Sequence, residues 1–319
     1  MKIQIPQETI DWLNNSEIPR VRFKARSIFE KDADRQDLFT DPLIKDLIAS
    51  LMNDWDEEIL KQHNKPDLCM HRFCLLADSG VRWDDKEAKP LIDKVLKTFK
   101  SDSLPRVRIL IPKIFRGSGE VEEEWIICDY PQILYGLLKM GVNNDLIKTS
   151  LEFLATLSRE NGYPCTSSME KFRGPGNKSD FCPIASLYGL KALNLSPETR
   201  SSEAAENAAK SLLTHWEKRG EVKHYLFGIG TDFRKLKYPL LWYNLFHVLS
   251  VLSQSNFGRE DSRTMEMGHL LLEKADDKMR FTPESMYRYY KDEDFANKKE
   301  PSPTLTITAI EIFSNLGMI

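Results

Sequence analysis

One alternation runs the length of this chain and sets what it can fold into. Segments apolar on nearly every side alternate with segments apolar along a single stripe. The first kind is HRFCLLADSGV from His71, DYPQILYGLLKMGV from Asp129, DFCPIASLYGLKALNLS from Asp180, YPLLWYNLFHVLSVLSQS from Tyr238 and PTLTITAIEIFSNLGMI from Pro303. PRVRFKARSIFEKD from Pro19 is a looser sixth member. Ile133, Leu134, Leu137 and Leu138 recur at helical spacing, as do Leu245, Val248, Leu249 and Leu252. A helix apolar around most of its circumference is covered on several sides, so these read as inner helices. Residues 7–14, 42–52, 86–99, 145–159, 202–218 and 262–274 instead carry one charged face, with apolar residues at steps of three and four, as in Ile147, Leu151, Leu154 and Leu157. They read as outer helices with one wet side. Ser201 and Ser202 before Glu203 and Glu206 make a good helix start, and Gly220 a stop. No stretch alternates convincingly as a strand, residues 107–114 being the ambiguous one.

Six outer–inner pairs predict an all-α fold, an (α/α)6 toroid around a central cavity, because a closed ring hides the flanks an open stack exposes. The prediction is one domain over 1–319, with less regular first repeats in 1–66 and clearer ones in 67–319. The links from inner to outer helices are short, whereas the returns 100–128, 160–179, 219–237 and 275–302 are long. Long loops would then gather on the rim where the inner helices begin, a usual place for binding sites. A formal net charge of −3 leaves no basic footprint for nucleic acid. No apolar run reaches the ~18 residues of a membrane span, and the first residues lack the apolar core of a signal peptide. Five cysteines without such a leader read as thiols in a reducing cytoplasm.

Two stretches carry a family resemblance. FLATLSRENGYP, from Phe153 to Pro164, resembles the cyclase repeat end F-L-x3-Q-x2-D-G-x-W, keeping Phe153, Leu154 and Gly162, with Asn161 for Asp and Pro164 in place of Trp. NKSDFC, from Asn177 to Cys182, resembles the N-K-x-x-D-x-C segment that opens a zinc-bearing inner helix, one residue shorter after Lys178. The chain thus resembles the α/α-toroid repeats of protein prenyltransferase β subunits and of squalene and terpenoid cyclases, and GPGNKSDFCPIASL looks like a segment of uncharacterised prokaryotic toroid proteins. The resemblance implies the toroid. It also implies a zinc ion held by Asp180, Cys182 and a residue of the next inner helix, and a helical partner chain. At that last place stands Asn244, a poor zinc ligand, with His247 three residues further in.

Asp180-x-Cys182 therefore has two readings. One is a helix cap, the carboxylate suiting the helix dipole and Pro183 the first turn, beside a buried thiol. The other is a zinc site of Asp180, Cys182 and His247. Cys69 and His71, Cys128 and Asp129, and Asp180 and Cys182 all fall where successive inner helices start, which extends the second reading to a soft-metal mouth. Asp129, Asp180, Cys182, Tyr243, Asn244 and His247 are the expected lining residues of a small-molecule site, its ligand apolar or anionic. The alternatives are a zinc-dependent prenyl or alkyl transferase-like enzyme and a peptide-binding scaffold. Asp32-Ala-Asp34-Arg35 falls one carboxylate short of the cyclase acid motif, and the Gly117 and Gly228 pairs lack the strand and helix a phosphate loop requires. Basic residues, among them Arg106, Arg108, Arg116, Arg173 and Lys178, punctuate the long returns. Tyr287-Arg-Tyr-Tyr290 reads as a lid, and Tyr225, Phe227, Phe233, Tyr238, Trp242, Tyr243 and Phe246 as core or as the wall of an apolar pocket.

Overall fold

A computed structural model describes every residue except Met1, Val222, Tyr225 and Leu226. The described residues form thirteen α-helices and one small sheet. In chain order the first helices are α1 (Gln7–Asn14), α2 (Pro19–Phe29), α3 (Arg35–Leu38), α4 (Pro42–Asp54), α5 (Cys69–Asp78) and α6 (Lys89–Leu96). The hairpin β1 (Val107–Leu110) and β2 (Val121–Glu124) follows, then α7 (Tyr130–Lys139), α8 (Asp145–Thr156) and α9 (Pro183–Leu193). The last are α10 (Glu203–Glu217), α11 (Leu245–Leu252), α12 (Ser262–Leu272) and α13 (Pro303–Asn315). Every expected outer and inner segment contains a helix. No helix is long and apolar enough to cross a membrane.

The strands correct the purely helical expectation. Val107, Ile109 and Ile111 put β-branched residues at alternate positions, and β1 pairs antiparallel with β2, Val107 opposite Glu124 and Leu110 opposite Val121. Leu60 extends the pairing, its N–H reaching Arg108 O at 2.8 Å while Leu110 N–H reaches Leu60 O at 2.9 Å. Ile109 and Ile111 then bury against Leu60, Leu68, Met70 and Ile126.

The residues gather into two compact units. The first joins Met1–Asp46 to Gly230–Gln254 and Gly258–Ile319; the second is Leu47–Ile229 with Ser255–Phe257. The change of regularity at 66/67 is not a boundary of either.

In the first unit, Leu13, Val21 and Ala25 of α1 and α2 bury against Ile307 and Ile310 of α13. Arg20 is the polar fastener of this unit. Its Nη1 donates to Asp41 at 3.1 Å, and its Nη2 to Glu293 at 2.7 Å and Asp294 at 3.0 Å. Two of these acids also serve helix starts. Asp41 accepts Leu43 N–H at 2.9 Å, and Asp294 accepts Thr304 N–H at 3.0 Å. The tyrosines expected to form a lid belong to this packing. Tyr287 and Tyr290 are buried, Tyr290 packs on Phe295, and Tyr289 alone is exposed.

In the second unit α5, α7 and α9 stand side by side, α7 in the middle, and α10 packs on α9. They run in one direction. Cys74 Sγ, midway along α5, donates to Gln132 O at 3.5 Å near the start of α7, and Tyr135 OH donates to Asp78 further along both helices. Lys191 of α9 closes the far end, 3.4 Å from Asp78 and 4.1 Å above the Tyr135 ring. These helices are buried over most of their surface, as their continuous apolar character requires. Ser202 caps α10 as expected, accepting Ala205 N–H at 3.3 Å.

Close approach of α5 and α7 depends on Gly136, where an added Cβ would lie 2.4 Å from the Phe73 ring. Gly136→Ala is therefore expected to lower the urea midpoint. The overpacking cost of roughly 1–3 kcal/mol outweighs the ~1 kcal/mol alanine gains in helix propensity. Gly220→Ala, which meets nothing within 4 Å, should leave the midpoint in place. Equal midpoints for the two variants would refute this packing.

Candidate functional site

The second unit collects sulfur where its inner helices begin. Ile126 and Ser167 form an antiparallel bridge, flanked by Ile127 N–H to Thr166 O at 3.0 Å and Ser168 N–H to Trp125 O at 3.1 Å. Cys128 and Cys165 each lie two residues from that bridge, on the same side of it. Cys182 N–H then bonds Tyr163 O at 2.7 Å, drawing the start of α9 onto the bridged segment that carries Cys165. Three cysteines far apart in sequence thus meet at the starts of α7 and α9.

Their proton affinities diverge. Donation from the Cys128 and then the Cys165 thiol holds Cys182 well below an ordinary thiol, against the opposing effect of burial. The N–H groups of Ile184 and Ala185 act in the same direction, although no cap hydrogen bond closes. Cys128 is pushed up by donating to Cys165 and Cys182 and by burial. For Cys165, interaction with Cys128 lowers the pKa, but donation to Cys182 and burial outweigh it and push it up to about 12. Cys182 is thus the sulfur that ionises first, and its two neighbours are proton donors toward it.

Asp129 follows Cys128 and is fully buried. Its Oδ1 lies 3.1 Å from His63 Nδ1, and its Oδ2 has no partner. Burial opposes the charge of His63, but Asp129 overrides it and raises the imidazole above its usual value. His71, in the first turn of α5, is also fully buried. Its Nδ1 lies 2.7 Å from Lys65 O, and since a carbonyl only accepts, the proton sits on Nδ1 and leaves Nε2 a bare acceptor without a partner. Gln132 Oε1 is a third orphaned acceptor near these helix starts.

Cys165 and Cys182 open on a cleft of about 620 Å³. The 160–179 return forms its wall, held by Arg159 Nη1 to Lys178 O at 3.0 Å and Asn161 Nδ2 to Ser179 O at 2.8 Å. Arg173 N–H to Phe115 O at 3.1 Å ties that wall to the β1–β2 connection. Gly174 is needed beside the sulfur, since a Cβ there would fall 2.2 Å from Cys165 Sγ. Five cationic side chains, Arg116, Arg159, Lys171, Arg173 and Lys178, line the cleft against two acids, Glu170 and Asp180. His224 stands in the same wall, its ring 4.3 Å from Phe181, and burial lowers its pKa. A smaller cleft of about 270 Å³ lies by Glu58 and Cys69. There Arg106 and Arg108 are engaged by Asp102 and Glu57.

The expected site residues divide between the units. Asp129, Asp180 and Cys182 belong to the second, with Asp129 and Cys182 at neighbouring helix starts. Asp180 does not cap α9. Cys182 occupies the cap position, and Asp180 Oδ2 instead accepts the N–H and side-chain amide of Asn177 at 3.1 and 3.2 Å, closing a turn. Asp129 likewise makes no cap hydrogen bond. Tyr243, Asn244 and His247 belong to the first unit. Tyr243 is buried against Phe233, Asn244 caps α11 by accepting His247 N–H at 2.9 Å, and His247 Nδ1 lies 3.1 Å from Trp242 O. Tyr225 lies outside the described residues. Cys69 leaves the thiol group and meets Arg72 Nη2 at 3.3 Å. Among the described residues no group of three or more His, Cys, Asp or Glu side chains is arranged to hold a metal ion. Sequence reasoning missed Cys165, His63 and His224. The first stands three residues after the repeat-end Gly162, a usable signal; the histidines lie in aperiodic stretches that carry none.

No protein-family model matches the chain, and no curated protein does.

Proposed function

We propose that this chain binds a small anionic molecule in the cleft at the start of α9, next to Cys182. The observation that carries this reading is the set of cations without ion-pair partners around one concave site. Among the described residues, Arg116, Lys171, Arg173 and Lys178 make no salt bridge, whereas those of the smaller cleft are mostly paired. Unspent positive charge facing a cleft attracts an anion, and the positive end of the α9 dipole adds to that field. The closed toroid of six helix pairs belongs to the same proposal, supported by a helix in each expected outer and inner segment.

Calorimetric titration with inorganic pyrophosphate at low salt tests the binding. Binding should weaken roughly tenfold or more in the double variant Arg173→Ala, Lys178→Ala, given ~1.5 kcal/mol or more per charged hydrogen bond. Lys139→Ala, at the far end of α7, should bind like the parent. Absence of binding heat, or an equal loss in Lys139→Ala, would exclude the cleft as an anion site.

A further inference from the structure

Three cysteines gathered by the backbone at one place are more than an anion site needs. Two of them, Cys165 and Cys182, line the cleft and are partly exposed, while Cys128 is buried behind them. The backbone holds all three in place from separate elements: Cys128 at the turn into α7, Cys165 on the bridged segment, Cys182 at the start of α9. The basic wall and the helix start surround this partly exposed pair with positive potential, the setting in which a cysteine sulfur is nucleophilic.

We infer that Cys182 and Cys165 form a hydroperoxide-reducing pair, with Cys182 the attacking sulfur, Cys165 the resolving one and hydrogen peroxide the simplest oxidant. In the first step the Cys182 sulfur attacks one peroxide oxygen. An S–O bond forms, the O–O bond breaks, and the leaving hydroxide takes up a proton to depart as water. Cys182 is then a sulfenic acid. In the second step Cys165 Sγ gives up its proton and attacks Cys182 Sγ. The S–S bond forms, the S–O bond breaks, and a second water leaves into the cleft. Two thiols are oxidised and one peroxide is reduced to two waters; an external dithiol returns the pair to its starting state. Cys165, and not Cys128, resolves because it shares the cleft through which the water leaves. The stronger thiol acidity of Cys182 agrees with this order of attack. The pair does not depend on anion binding, since peroxide is neutral and needs only the cleft face of the two partly exposed sulfurs.

The test is brief exposure of the folded chain to a small excess of hydrogen peroxide, then alkylation and peptide mapping without reduction. Two of the five thiols should disappear, with the peptides of Cys165 and Cys182 joined. Cys165→Ser should stop at a sulfenic acid on Cys182 that dimedone traps, Cys182→Ser should keep its remaining four thiols, and Cys128→Ser should still form the link. Mapping of the unsubstituted chain stands whether or not a variant folds. A link through Cys128, five thiols surviving the treatment, or one tightly bound zinc per purified chain would each overturn the inference.

Discussion

Arg20→Met is expected to destabilise the first unit by about 3–5 kcal/mol, the cost typical of stripping one partner from a buried ion pair. The Arg20 side chain is 8% exposed and Asp41 is fully buried, so water cannot take over the lost charge. Glu293 and Asp294 share the same guanidinium, and three acids would face one another without their cation. Arg20→Lys should recover only part of the loss, because an ammonium lacks the planar fork that reaches several carboxylates at once. Adding Glu293→Gln to Arg20→Met should restore some stability, since Glu293 is the least buried of the three. Urea unfolding at neutral pH measures all of these. Should Arg20→Met unfold within half a kcal/mol of the parent, the cluster is not the fastener described.

Acidification is the second large effect. Burial pushes His71 and His215 down to about 4 in the folded chain, against about 6.5 when unfolded. Between those values the unfolded chain binds the extra protons, so stability falls as pH drops from about 6.5 to about 4 and then levels for these groups. A shift of this size corresponds to about 3 kcal/mol for each histidine. His63 acts in the opposite sense. Its raised folded pKa makes its pairing with Asp129 stabilising below about 6.5, a contribution lost as pH rises through the folded value. His71→Asn keeps a donor for Lys65 O and removes the titration. Melting temperature against pH should therefore be flatter for His71→Asn than for the parent, and parallel curves would contradict the assignment.

The helices were legible because the period of burial is written locally. A stripe at steps of three and four needs only one covered side, and all six such segments are helical. What was not local was lost. The segment from Tyr238 becomes helical only at Leu245, after a stretch ended by the Asn244 cap. The strand at Val107 was ambiguous because its partners, Leu60 and the segment from Val121, lie outside any short window. Asp180 before Pro183 looked like a cap, but its carboxylate satisfies the turn behind it. The thiol group is the extreme case. Cys128, Cys165 and Cys182 are 37 and 17 residues apart, a spacing that matches no helix or hairpin period. Only the long-range pairing at Ile126 and the bond to Tyr163 O bring them together.

The division of the chain also orders its assembly. Helices α1 and α2 leave the ribosome well before the α13 residues that cover Leu13 and Val21. The second unit, Leu47–Ile229, emerges in between. At ordinary elongation rates of about 5–20 residues per second, the early helices wait roughly 10–40 s for that unit alone to be synthesised. During that interval the nascent chain presents an uncovered oily face, which makes it a natural client for holding chaperones, while the intervening unit is already free to fold.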